Sequence, residues 1–136
     1  MRGYLLDTNV LSELLRKRPF PRVLDHLRQV SSDQLCTSSI CVMELRYGAA
    51  RHPEGSALWE RISDEVLPRV QILPVGQEEA ARAGDLLARF ESQGNTIGLE
   101  DILIGATALA NDLTAVTRNV RHFSRIKGLV VESWWE

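Results

Sequence analysis

Short apolar stretches alternate with amphipathic ones along almost this whole chain, and that alternation leaves few folds open. Tyr4–Leu6, Leu35–Thr37, a stretch within Val70–Pro74, Leu113–Thr117 and Leu129–Glu132 have the length and apolar content of buried strands. Between them lie segments with helical spacing: Asn9–Arg16, Pro21–Val30, a segment reaching about Ala50, Glu54–Leu67, Gln77–Ser92 and Leu99–Asn111. Ser38 or Ser39 can cap the third of these, and Gly94 ends the fifth. Leu99–Asn111 is apolar on nearly every side and is expected to be a buried helix. Asn119–Phe123 reads as a helical turn. Strands separated by helices imply parallel pairing through crossovers. The expected fold is α/β, a three-layer sandwich with a mostly parallel sheet of four or five strands. With 136 residues and no linker, repeat or low-complexity stretch, residues 1–136 are expected to form a single domain.

In open sheets of this kind, sites gather beyond the carboxyl ends of the strands. Four polar positions fall there. Asp7 directly follows the first strand, and Asn119 follows the strand through Thr117. Glu44 lies one turn into the helix after Leu35–Thr37, between the apolar Met43 and Leu45. Asp101 lies in the first turn of the buried helix. Each has a plain structural explanation alone. Asp7 can cap the next helix, Asp101 suits a helix N-terminus, and Glu44 can pair with Arg46 or Arg118. Together they are harder to dismiss. Two carboxylates about 4 Å apart repel by roughly 4 kcal/mol at an effective dielectric of 20. Converging acids without a companion His or Cys suit a hard divalent cation, Mg²⁺ or Mn²⁺, and that points to phosphodiester chemistry.

Composition sets limits on this reading. Hydrophobic residues make up 44% and charged residues 25%, with a formal net charge of −2. Nucleic-acid binding would therefore rest on a local basic patch. Candidates are Arg16, Lys17, Arg18 and Arg22, then Arg118, Arg121, Arg125 and Lys127, of which Arg118 sits inside a site motif. No apolar run is long enough to span a membrane, and Asp7 interrupts the opening Met1-Arg2-Gly3-Tyr4-Leu5-Leu6 too early for a signal peptide, so the expected location is cytoplasmic. Cys36 and Cys41 lack metal-site spacing and are expected to be small buried hydrophobes.

Four motifs in order also carry a family resemblance. Leu5-Leu6-Asp7-Thr8-Asn9-Val10-Leu11-Ser12-Glu13-Leu14 resembles the opening motif of PIN-domain ribonucleases, and Met43-Glu44-Leu45-Arg46-Tyr47-Gly48 their second. Asp101-Ile102-Leu103-Ile104-Gly105-Ala106-Thr107-Ala108 is similar to the third, and Thr117-Arg118-Asn119-Val120-Arg121-His122-Phe123 to the fourth. The VapC- and FitB-like toxins of bacterial toxin–antitoxin pairs are the nearest subfamily, and Val131-Glu132-Ser133-Trp134 resembles their short terminal strand with Trp.

The resemblance implies an Mg²⁺- or Mn²⁺-dependent endoribonuclease with one or two metals per site. Asp7, Glu44 and Asp101 would be both catalytic residues and metal ligands. Asn119 would be a further ligand, Thr8 and Thr117 supporting residues, and Arg118 an RNA contact. Glu100 would be peripheral, since it points about 100° away from Asp101 on the helix. The partners implied are the RNA substrate, a small inhibitory VapB- or FitA-like antitoxin that binds operator DNA, and a second copy of the chain. A small-residue stripe, Ala80, Ala83, Gly84 and Leu87, would permit close helix approach in such a dimer. One departure stands out. Family members often carry an acid in the fourth motif, where this chain has Asn119, so a second metal is expected to bind weakly. Two other classes remain. A catalytically weak PIN module acting through a DNA-binding partner would fit the missing acid. A haloacid-dehalogenase-like phosphatase opens on a strand followed by Asp-x-Asp, but here Asn9 replaces the second acid.

Overall fold

Five short apolar segments lie side by side as one parallel sheet: β1 Tyr4–Leu6, β2 Leu35–Ser38, β3 Gln71–Leu73, β4 Thr114–Val116 and β5 Val131–Glu132. The structure is a computed structural model that describes residues 3–136. The strand order is β3-β2-β1-β4-β5, and every pairing is parallel. Tyr4 faces Leu35 on one side and Thr114 on the other, which fixes β1 at the centre. Leu5, Leu6 and Val116 are fully buried, as expected for strands covered on both faces. The chain builds outward from β1 through β2 to β3, then returns to the other side of β1 for β4 and β5. The carboxyl ends of β1 and β4 thus flank the point where the winding reverses, and such a point opens a crevice.

Helices flank the sheet: α1 Thr8–Glu13, α2 Pro21–Gln29, α3 Ser39–Arg51, α4 Gly55–Arg61, α5 Gln77–Ser92, α6 Leu99–Ala110 and α7 Val120–Phe123. Pro21 opens α2, where its missing N–H is harmless. Ser38, not Ser39, caps α3, its hydroxyl accepting from Ile40 N. Gly94 ends α5 with φ +71°, a conformation that favours glycine. In α6, Ile102 and Ile104 to Ala108 are buried, so the apolar helix lies where the sequence puts it.

Some boundaries differ from expectation. Helix α1 stops at Glu13, three residues before Arg16, where the chain passes into i→i+3 turns; the Glu13 side chain turns inward and accepts from Phe20 N at 2.9 Å. The helix expected over Glu54–Leu67 starts at Gly55 and changes winding, with a π segment at Ile62–Val66 and a 3₁₀ turn at Leu67–Arg69. A further 3₁₀ turn, Ser32–Gln34, precedes β2. Strand β5 is only Val131–Glu132, since a turn at Gly128, φ +87°, takes up the residues before it. The Trp134 side chain is fully buried, stacked on His26 at 5.0 Å and edge-on to Tyr4 at 5.5 Å. No helix among the described residues is long and apolar enough to cross a membrane.

Candidate metal centre

Asp7 lies just past β1, where Asp7 N still donates to Val116 O of β4 at 2.9 Å. Its carboxylate therefore hangs over the carboxyl edge of the sheet. One oxygen, Oδ1, accepts from Thr8 N at 2.8 Å and caps α1. The other, Oδ2, accepts from Thr117 Oγ1 at 2.7 Å and from Asn9 Nδ2 at 3.3 Å. Capping and site roles thus coexist on one side chain. Burial pushes the Asp7 pKa up from 3.8 to about 6, against the lowering effect of its bonds to Thr117 and Thr8; the negative charges of Asp101 and Glu44 add to the rise.

The next helix brings a second acid to the same place. Thr8 Oγ1 donates to Glu44 Oε1 at 2.5 Å, tying α1 to α3. Neither Arg46 nor Arg118 is its partner among the described contacts. Arg46 stacks over Trp59, and Arg118 lies 5.3 Å from the Trp135 ring centre. Ligand atoms of Asp7, Glu44 and Cys41 lie within 4.8 Å of one another, a spacing that one cation could bridge. Cys41 is fully buried, its thiol pKa is pushed up to about 11 by that burial, and its Sγ–H points to Leu6 O at 3.8 Å. A neutral thiol is a poor ligand for a hard cation, so the two carboxylates are the effective donors.

Asp101 lines the same cleft but lies outside that compact group. Its Oδ2 is 3.2 Å from His122 Nδ1, which is also 2.8 Å from Asn119 Nδ2. A single ring nitrogen cannot accept from the amide and donate to the carboxylate at once. The proton position on His122 therefore decides which neighbour it holds. Asn119 N donates to Thr117 Oγ1 at 2.9 Å, so one hydroxyl fixes both Asp7 and the start of the fourth motif.

The cleft has a volume of about 490 Å³, and all four polar positions singled out in the sequence line it, with Thr8 and Arg118. Thr117 lies buried beneath Asp7. Sequence reasoning gave no role to Asn9, Glu13 or His122. Asn9 spans the crevice, its Nδ2 towards Asp7 and its Oδ1 accepting from Arg118 N at 3.1 Å. Glu13 is a fourth acid on the wall, 4% exposed, with Arg16 at 3.7 Å. Both sit in the opening motif, and their inward direction was the missing information. Of the other basic candidates, Arg125 is engaged elsewhere, over Phe90 and donating to Thr96 O, and Lys127 lines a different hollow with Arg82 and Arg89. Only Arg16 and Arg118 reach the cleft wall among the described residues.

Residues 4–129 match the profile of the PIN domain family. The chain is 35% identical over 136 residues to Ribonuclease VapC2 of Haemophilus influenzae, covering 98% of this chain and 99% of that protein. It is also 35% identical to Toxin FitB of Neisseria gonorrhoeae over 135 residues, 96% of this chain and 97% of that one. Among solved structures, VapBC2 from Rickettsia felis, bound to a DNA fragment from the promoter, superposes with a TM-score of 0.88 at 30% identity, covering 96% of this chain and 98% of that chain.

Proposed function

Because the chain belongs to the PIN domain family, over residues 4–129, we propose that it is the endoribonuclease toxin of a bacterial toxin–antitoxin pair, hydrolysing RNA with Mg²⁺ or Mn²⁺. The observation that carries this reading is the pair Asp7 and Glu44, whose oxygens lie within 4.8 Å at the crevice between β1 and β4, with Asp101 on the same wall. The donor set fits a hard divalent cation. It is oxygen-rich, and Asp7 has a raised pKa that a cation would reverse. The ion would lower the pKa of a bound water and neutralise charge on the phosphoryl oxygens.

The protein's own groups do the rest. Asp7 and Glu44 would hold the cation, with Asp101 on the same wall as a further anchor, and Glu44 would also orient or deprotonate the attacking water. Thr8 holds Glu44, and Thr117 holds Asp7, each through one hydroxyl. Arg118, exposed at the rim and backed by Trp135, meets the substrate phosphate. The chain acts as one nuclease domain, in the cytoplasm, where its RNA substrate is found.

A free ribonuclease of this kind harms its host, so it works with a small antitoxin that inhibits it and binds operator DNA. The relative from Rickettsia felis is seen bound to promoter DNA, in line with that arrangement. The acidic cleft suits an inserted Arg or Lys of the antitoxin. The toxin itself pairs as a homodimer. In α5, Ala83 turns into the core, while Ala80 and Gly84 face outward, and a Cβ on Gly84 would meet nothing within 4 Å.

The test is RNA cleavage with Mg²⁺ or Mn²⁺, with excess EDTA, and with Asp7→Asn. Cleavage is expected only from the metal-supplied native chain. Undiminished cleavage in EDTA, or by Asp7→Asn, would overturn the mechanism. Metal-supplied protein that leaves RNA intact, yet binds operator DNA with its partner, would favour a weak PIN module instead.

A further inference from the structure

Next to the metal cleft lies a second hollow of about 320 Å³, lined by Met43, Glu44, Tyr47 and Glu100. Glu44 belongs to both, so the two are separated by one side chain. Met43 and Tyr47 are four residues apart on α3 and form one stripe on its surface. They are 50% and 61% exposed, unusual for a thioether and an aromatic ring beside an acidic centre. Tyr47 is not loose. The Arg51 guanidinium lies 5.2 Å from its ring centre, and Arg51 Nη1 donates to Tyr47 Oη at 3.1 Å. Across the hollow, Glu100 presents a carboxylate in the first turn of α6, with no role in the metal centre.

These four groups fit one class of ligand. A fixed aromatic ring and a polarizable thioether suit the flat face of a nucleobase. A carboxylate at the edge accepts N–H donors and repels ring nitrogens that carry lone pairs. Guanine alone among the four RNA bases presents two adjacent donors, N1–H and N2–H, to a carboxylate's two oxygens. Adenine and cytosine set one amino donor beside an acceptor nitrogen, and uracil sets one N–H between two carbonyls. An apolar protein surface laid over the hollow would instead bury the Glu100 carboxylate, and the Glu44 oxygen that Thr8 does not hold, without new donors, at a substantial desolvation cost.

We propose that this hollow is a nucleobase subsite, in which Tyr47 and Met43 carry a base flanking the scissile phosphate and Glu100 selects guanine. The assignment rests on the ribonuclease reading above. Arg51 fixes the ring and adds positive charge where the RNA backbone enters an otherwise acidic region. The cleavage preference then comes from a base held on α3 and α6, and phosphate contacts only position the chain.

The experiment is fluorescence anisotropy of short labelled single-stranded RNAs on the full chain, with Asp7→Asn to prevent cleavage. Tyr47→Ala is expected to weaken binding of a guanine-containing RNA about tenfold, the size of one lost stacking contact, while Tyr47→Phe keeps most of it. An abasic site in place of that guanine should erase the effect of Tyr47→Ala. Inosine, which lacks the N2 amino group, should bind more weakly than guanine to the Asp7→Asn chain and equally well once Glu100→Gln is added. Equal binding by Tyr47 and Tyr47→Ala chains would overturn the subsite. So would a Tyr47→Ala variant that keeps RNA affinity but loses self-association or its protein partner, since the face would then be a protein contact. Failure of the ribonuclease reading is separate: metal-supplied Asp7 chain would cleave no RNA, whatever the base-dependent binding showed.

Discussion

Burial raises the Asp7 carboxyl to a pKa of about 6, and this sets how the metal-free protein responds to pH. Below pH 3.8 the group is protonated in both folded and unfolded chains, and folding is indifferent to it. Between about pH 4 and 6 the unfolded chain gives up the proton first, so stability falls as pH rises. Above pH 6 the penalty is complete, roughly 3 kcal/mol at about 1.4 kcal/mol per pKa unit. Metal-free Asp7→Asn should therefore be more stable than the native chain at pH 7, by about 1–2 kcal/mol after the loss of one accepting oxygen. The difference should shrink as pH falls and reverse near pH 4, where the charge penalty is nearly gone and the lost oxygen leaves Asp7→Asn less stable by about 1 kcal/mol. Thermal melts in EDTA at both pH values measure this, and equal melting curves at pH 7 would show that the buried carboxylate is not under strain. Asn119 offers the complementary test at the same edge. Asn119→Asp adds a further carboxylate beside Asp101 and His122 and should tighten a second Mn²⁺ in calorimetric titration without RNA. Equal stoichiometry and affinity in both forms would remove Asn119 from the ligand set.

Elements bring these residues together through a few long-range ties. Thr8 links α1 to α3, Thr117 links β4 to β1, and Trp134 fastens the end of the chain against α2 and β1. Trp134→Ala should cost about 3–5 kcal/mol, the usual range for deleting a fully buried large aromatic. Urea unfolding measures it, and a loss below 1 kcal/mol would mean that the tail is only laid on the surface. At this scale the sequence was legible where local signals and tertiary structure agreed. Gln77–Ser92 is bounded as expected because Gly94 supplies a stop that needs no partner. It was not legible where a distant partner decides. Helix α1 gives way to i→i+3 turns after Glu13, whose side chain turns inward to Phe20 N, and no periodicity encodes that long-reaching bond. Glu100 reads as peripheral along its helix, and only α3 reveals what it faces. The change from α to π winding at Ile62–Val66 has no motif that announces it.

For the whole molecule, the parallel sheet and its winding order put the site at one edge. Four motifs spread over more than a hundred residues could be placed on that edge from the strand pattern alone. Their relative distances could not, and Asp101 proves to be set apart from the compact Asp7–Glu44 group. A homodimer should give twice the 15.3 kDa chain mass in light scattering at micromolar concentration. Gly84→Arg places a long charged chain on the outward face of α5 and should halve that mass without loss of helicity. A monomeric mass for the native chain would end the dimer assignment.

Strand order has one further consequence. β1 sits at the centre but gains its second neighbour only when β4, residues 114–116, arrives, and β4 in turn is closed by β5 near the end of the chain. Asp7 is made more than a hundred residues before Thr117, whose hydroxyl holds it. A ribosome building this protein thus carries incomplete chemistry until Thr117 and the strands beside it have been made. Prematurely terminated fragments lack Thr117, Arg118 and the closing strand, and should be harmless to the RNA around them. Late assembly gives the cell an interval, during synthesis, in which a neutralising partner can be waiting before the blade is finished.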